Sequence, residues 1–137
     1  MSNYKLKAYN VVEKMHRTAR ENEARALSEG ALRLERVLDD WDPQDKREEL
    51  NEALRFNQRI WTIFQTAVVA DDCPLPLELR RNMLQLSAFI DKQIFKAMAS
   101  PLPGYVTPII NINRGLAKGL RAAPPKQYSF RPIQVKS

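Results

Sequence analysis

The sequence predicts an all-α protein, a single-domain bundle of four to five helices. Apolar residues recur at steps of three and four over most of the first 120 positions, which is the spacing of helices that pack on other helices. Proline-containing breaks separate these stretches, and strand-like segments do not alternate with them. A chain of 137 residues is the length of one domain and can bury a core without disulfides or metals.

The amino-terminal part of the chain predicts two successive helices. An apolar stripe indicates a first helix over residues 4–16. Thr18 followed by Glu21 has the spacing of a capping box, in which the hydroxyl and the carboxylate both bond free backbone amides at a helix start. A second helix is therefore predicted from Thr18. Its apolar stripe consists of Ala24, Leu27, Ala31, Leu34, Leu38 and Trp41.

The pair Asp42-Pro43 predicts a tight turn into the next helix, because aspartate caps helices and proline suits their first position. Two long helices joined by such a turn should lie antiparallel. Asn57 is the single polar residue on the next stripe, so its amide must either hydrogen-bond inside the core or open onto a groove. This stripe consists of Leu50, Leu54, Asn57, Trp61, Phe64 and Val68.

Two further helices are predicted beyond the proline-rich connector of residues 71–76. The first is supplemented by Phe89 and Phe95, and its apolar stripe consists of Leu79, Met83, Leu86, Ile90, Ile94 and Ala97. After a break at residues 100–104, Thr107-Pro108 predicts the start of a last helix that runs to about Leu120. Gly115 and Gly119 lie four apart on that helix, which predicts close approach of a neighbouring element.

The carboxyl-terminal segment differs from the rest in composition. Residues 122–137 are proline-rich, carry three bases and no acid, and lack a helical period. We therefore predict a helical domain over residues 1–121 and an extended or disordered, mobile tail over residues 122–137. Alternating apolar residues in the tail suit an extended segment that adds to a partner's groove, and a solvated terminus is the alternative. These residues are Tyr128, Phe130, Ile133 and Val135.

The charge distribution argues against direct nucleic-acid binding. The net charge is +6, yet residues 21–72 carry seven bases and thirteen acids. Nucleic-acid binders concentrate Lys and Arg on one surface, and an acidic middle third interrupts such a surface.

The sequence offers little material for catalysis. His16 is the single histidine and lies in a basic run, and Cys73 is the single cysteine and has no basic neighbour to activate it. Glycine-rich phosphate loops and metal-ligand clusters are missing from the sequence. We expect no enzymatic activity, no cofactor and no metal. Because no secretion signal or bilayer-length apolar segment is visible, we expect a cytoplasmic protein without membrane insertion.

Several motifs, taken in order, resemble the FlaF family of small flagellar biosynthesis proteins from alphaproteobacteria. The resemblance extends over about residues 4–120, with two departures: Cys73 where the family usually has asparagine, and a longer tail after Arg121. The motifs are Ala8-Tyr9, Thr18–Ala24, Leu50–Leu54, Asn57–Trp61, Leu75–Arg80, Leu84–Ile90 and Ile112–Leu120.

The resemblance implies flagellin as the partner. Family members are described as supporting flagellin synthesis or secretion, either as an export chaperone of the unassembled subunit or by opposing the translational repressor FlbT. The resemblance leaves open which of these applies, whether FlbT is a further partner, and what the oligomeric state is. Chaperone action is favoured here, since an all-α protein with a groove can mask the amphipathic terminal helices of flagellin.

Polar or small residues at apolar positions are the candidate contacts for such a partner. Asn57 could hydrogen-bond the backbone of a partner helix, and Trp61 could contact one of its apolar side chains. A core hydrogen-bond network is the alternative for Asn57. The predicted partner-binding residues are Asn57, Trp61, Asn113, Arg114, Gly115 and Gly119.

Overall fold

The computed structural model describes the backbone of residues 2–122, and the side chains of Val11 and of residues 19–122. Over these residues the chain forms four α-helices and no strand, which confirms the predicted all-α bundle. Residues 123–137, which make up nearly all of the predicted tail, lie outside the described residues, whereas Ala122 belongs to the last helix. The helices are α1 (Ser2–Leu38), α2 (Arg47–Val69), α3 (Leu77–Ala99) and α4 (Pro103–Ala122).

The helices form an up-and-down bundle in which each packs against two others. α1 contacts α2 and α4, and α3 contacts the same two helices from the opposite side. Arg114 of α4 pairs with Glu35, and Arg121, two turns later, pairs with Glu21 at 3.4 Å. The residue numbers of these pairs increase along α4 while they decrease along α1, so the two helices are antiparallel.

The predicted break at Thr18 is wrong, because α1 is a single helix of 37 residues. Residues 2–29 contain neither glycine nor proline, so nothing in this stretch interrupts the helix. The Thr18 and Glu21 pair therefore lies inside a helix, where the amides that a capping box would satisfy already have backbone partners.

The turn after α1 is longer than predicted. Asp40 has a φ of 53°, the left-handed conformation that commonly ends a helix. The Asp42 carboxylate accepts a hydrogen bond from the Gln44 amide at 3.0 Å, and the Asp42 carbonyl accepts one from Lys46 at 2.9 Å. Asp42 therefore stabilises a turn, and α2 begins four residues after Pro43, at Arg47.

The last helix begins earlier than predicted. Pro103, not Pro108, occupies the first helical position, where proline costs no backbone hydrogen bond. Pro108 lies inside α4, and the Thr107 hydroxyl bonds back to the Pro103 carbonyl at 3.1 Å. Thr107 is thus an interior residue and does not cap the helix.

The core contains most of the predicted stripes. All six stripe residues of α2 are buried, as are Ile90, Ile94 and Ala97 of α3. Phe89 and Phe95 are exposed, so they do not supplement the core as predicted. Trp41 lies outside α1 and packs against the core at the α1–α2 end of the bundle. Two asparagines and one serine are buried together with the largest apolar side chains of the core. The fully buried residues are Trp61, Leu27, Leu34, Leu50, Leu54, Ile90, Ile94, Ile109, Val106, Asn57, Asn113 and Ser87.

Another element approaches the helix backbone closely at Gly30, not at the predicted Gly115 and Gly119. A Cβ at Gly115 or Gly119 would meet nothing within 4 Å, so the prediction of a close neighbour there is wrong. A Cβ at Gly30 in α1 would lie 3.0 Å from Asn113 Nδ2 and 3.1 Å from Asn57 Cγ, and closer still to Asn57 Oδ1. Gly30 thus admits two asparagine side chains against the backbone of α1.

Candidate functional site

A buried polar network joins three helices at the centre of the bundle. Trp61 Nε1 donates to Asn113 Oδ1 at 3.0 Å, and Asn113 Nδ2 donates to Asn57 Oδ1 at 2.6 Å. Asn113 Nδ2 also reaches the Leu27 carbonyl at 3.3 Å. Asn57 Nδ2 donates to the carbonyls of Gly30 at 3.1 Å and Ala53 at 2.9 Å. These contacts connect α1, α2 and α4.

Every amide nitrogen and oxygen in this network has a partner. Each asparagine uses both hydrogens of its amide nitrogen and accepts one hydrogen bond at its oxygen. Asn57, Trp61 and Asn113 each have an exposed fraction of 0%. A partner therefore cannot touch them in this conformation, and the alternative in which Asn57 opens onto a groove is wrong. The network belongs to the core.

The other three predicted contact residues lie on the surface of α4. Arg114 is half-exposed and donates to the Glu35 carboxylate of α1. Gly115 is exposed and lies against no other element. Gly119 is also exposed and lines a groove, so among the six predicted residues it alone lies at the candidate site described next.

An apolar groove of about 420 Å³ lies at one end of the bundle. Five segments meet there: the carboxyl ends of α2 and α4, the connector before α3, the start of α3, and one stretch of α1. Apolar side chains make up most of its wall. The lining residues are Ala19, Arg20, Glu23, Phe64, Ala67, Val68, Cys73, Pro74, Leu75, Leu79, Met83, Leu116, Gly119 and Leu120.

Two charged residues of α1 lie in the wall of this groove. Burial raises the pKa of the Glu23 carboxyl above its ordinary value of 4.5, although the positive charge of Arg20 opposes that shift. Arg20 itself is buried. The groove therefore contains a carboxylate that is poorly hydrated, and a ligand with a cation or hydrogen-bond donor at this point would stabilise its charged form.

Phe64 connects the groove to the buried network. It lines the groove, and its ring packs edge-on against Trp61 with centroids 5.7 Å apart. A ligand that displaces Phe64 would therefore change the surroundings of the Trp61 indole, whose Nε1 bonds Asn113. Trp61 is a natural fluorescent reporter for the groove.

The part of the chain that the structure describes contains no cluster of three His, Cys, Asp or Glu side chains able to hold a metal ion. Among the same residues, no helix is long and apolar enough to cross a membrane.

Sequence reasoning missed most of the groove residues. Leu79 and Met83 lie on the apolar stripe predicted for α3. Met83 also packs against the core, whereas Leu79 lies beyond the end of the packed core. Leu79 remains 37% exposed. The sequence does mark Gly30, as a lone glycine among the apolar residues of the α1 stripe. Its two asparagine partners could not be identified from this feature, because they lie 27 and 83 positions further along the chain.

The fold and the groove define a small all-α protein with an open apolar cleft at one end of its bundle. The model of the family described as "Flagellar protein FlaF" matches residues 5–120. The chain therefore belongs to the FlaF family of flagellar proteins. The comparison with curated proteins and the comparison with solved structures both return no match.

Proposed function

We propose that this protein binds unassembled flagellin in the cytoplasm and acts as its export chaperone, without catalysis. The terminal amphipathic helix of flagellin lies with its apolar face in the groove. The observation that carries this proposal is the groove itself, an apolar concavity to which all four helices contribute. Helix-in-groove contact of this kind buries the apolar face of a helix that would otherwise aggregate.

The chemistry of the groove suits an amphipathic helix. Leu79, Met83 and Leu116 supply apolar surface that is partly exposed in the free protein, so a ligand gains by covering it. Glu23 lies within this surface beside Arg20, and its carboxylate could also accept a hydrogen bond from a basic side chain of the ligand. A flagellin helix with a Lys or Arg beside its apolar face fits both features.

Regulation of flagellin messenger RNA, alone or together with FlbT, is the alternative function. The basic side chains of α4 are the candidates for phosphate contacts, yet two of them already face acids of α1. Arg114 pairs with Glu35, and Arg121 pairs with Glu21 at 3.4 Å and donates to the Ser28 hydroxyl at 3.2 Å. This arrangement favours the protein partner over direct RNA binding, because phosphate contacts would compete with these ion pairs.

Co-purification with flagellin tests the proposal. We expect full-length flagellin to be retained and flagellin without its carboxyl-terminal helix to be lost. Retention of the shortened flagellin would exclude the helix-in-groove model, and loss of both forms would exclude the chaperone function. Direct RNA binding predicts an affinity for the flagellin leader that falls steeply as salt rises.

A further inference from the structure

The described part of the chain stops at the rim of the groove. Leu116, Gly119 and Leu120 of α4 line the groove, and α4 ends at Ala122. A helix rises 1.5 Å per residue, so Ala122 lies only about 3 Å beyond Leu120 along the helix axis. Residues 123–137 follow from this point, outside the described residues.

The length of this segment is sufficient to reach back into the groove. Residues 123–127 extend over at most about 17 Å, at about 3.5 Å per residue, before Tyr128 begins the apolar part of the segment. Tyr128 and Phe130 are two apart, so in an extended chain both rings point to one side, about 6.6 Å from each other. Leu116 and Leu120 in the groove wall are four apart on a helix, about 6 Å along its axis. The two spacings match.

The charges of the segment and of the groove are also complementary. The segment has three bases and no acid, and Arg131 directly follows Phe130. The groove wall contains one acid, Glu23, and one base, Arg20, whose charges offset each other. The exposed Asp71 and Asp72, which immediately precede Cys73 of the wall, place net negative charge at the rim.

We propose that Tyr128–Phe130 docks in the groove of the same chain as an extended segment, with both aromatic rings on the apolar wall. The groove is then covered by the protein's own carboxyl terminus in the absence of a partner. The docking is independent of flagellin. The consequence that a flagellin helix must displace this segment rests on the proposed function.

Cys73 reports on the docking directly, because it is the single thiol of the chain, is partly exposed and lines the groove. The experiment measures the rate at which iodoacetamide alkylates Cys73 in the full chain, in a Tyr128→Ser/Phe130→Ser variant, and in a Gln127→Ser/Gln134→Ser control. The double aromatic variant is expected to react about tenfold faster, as for a groove that is covered about nine-tenths of the time. The control should react at the native rate.

All substitutions in this experiment lie beyond the four helices, so circular dichroism should show an unchanged fold. Equal alkylation rates in the native chain and in the aromatic variant would overturn the proposal. Protection that increases with protein concentration would also overturn it, because the segment of a second copy would then be the occupant. Neither outcome would bear on flagellin binding, which the experiment does not use.

Discussion

Asn113 Nδ2 donates a hydrogen bond of 2.6 Å to Asn57 Oδ1 at the centre of the bundle, between helices α4 and α2, which are not neighbours in it. Gly30 makes room for this pair by bringing the bare backbone of α1 against both amides. A buried amide is costly when unpaired, and here both are fully paired. We therefore expect the network to fix how α1, α2 and α4 align, since a shifted helix would leave buried amides without partners.

Replacing Gly30 tests this arrangement. Gly30→Ala gains up to about 1 kcal/mol of helix propensity, but its Cβ would displace both asparagine amides. Because each buried group left unpaired costs about 1–3 kcal/mol, we expect a net destabilisation of about 1–3 kcal/mol in urea unfolding. Gly115→Ala is the matched control on α4, where a Cβ meets open space, and should stabilise the protein by up to about 1 kcal/mol. Stabilisation by both substitutions would contradict the packing at Gly30.

The hydrogen bond between Trp61 and Asn113 should appear as thermodynamic coupling. Trp61→Phe leaves Asn113 Oδ1 buried without its donor, and Asn113→Ala leaves Trp61 Nε1 without its acceptor. We expect each substitution to cost about 2–4 kcal/mol. In the double variant the cost should fall short of the sum by about 1 kcal/mol or more. Urea unfolding followed by circular dichroism measures all three variants, and additive costs would show that the bond contributes nothing.

The partly buried carboxyl of Glu23 should make the free energy of unfolding depend on pH. Burial raises the pKa of its carboxyl in the folded state above the unfolded value near 4.5. At a pH between these two pKa values, the native protein binds more protons than the unfolded chain. Stability should therefore fall as the pH rises through this interval. Glu23→Gln should raise the urea midpoint at pH 7 relative to the native chain, and the difference should vanish below pH 4.5.

An exposed glutamate provides the control for this measurement. Glu52 lies on the solvent side of α2, and Glu52→Gln should not reproduce the effect. If Glu23→Gln leaves the pH profile of the urea midpoint unchanged, the carboxylate is better hydrated than its position in the groove wall indicates.

The helices could be predicted from the sequence because their apolar spacing is a local property. The stripe from Leu50 to Val68 is buried as predicted. The predicted helix boundaries were wrong where two local sequence features competed. Asp42-Pro43 formed a turn because the Asp42 carboxylate bonded the nearby Gln44 amide, and Pro103 preceded Pro108 as the first helical proline.

The site was predicted less well because its parts come from distant segments. Asn57 and Asn113 were recognised as polar residues at apolar positions, but whether they face each other or a ligand depends on pairings 56 residues apart. The groove depends on where the stripes of four helices stop packing on one another. No window of sequence around Leu79 indicates that its outward edge is left uncovered.

The proposed binding of flagellin in the groove is tested by the affinity of the protein for the flagellin carboxyl-terminal helix, supplied as a peptide. Trp61 fluorescence would follow the titration in a Trp41→Phe background, because Phe64 links Trp61 to the groove. Leu79 and Leu84 form a matched pair on α3, 37% and 38% exposed, but only Leu79 lines the groove. We predict that Leu79→Ser weakens binding about tenfold or more, since it removes roughly 1.5 kcal/mol of apolar contact, and that Leu84→Ser binds normally. Equal affinities for the two variants would contradict binding in the groove.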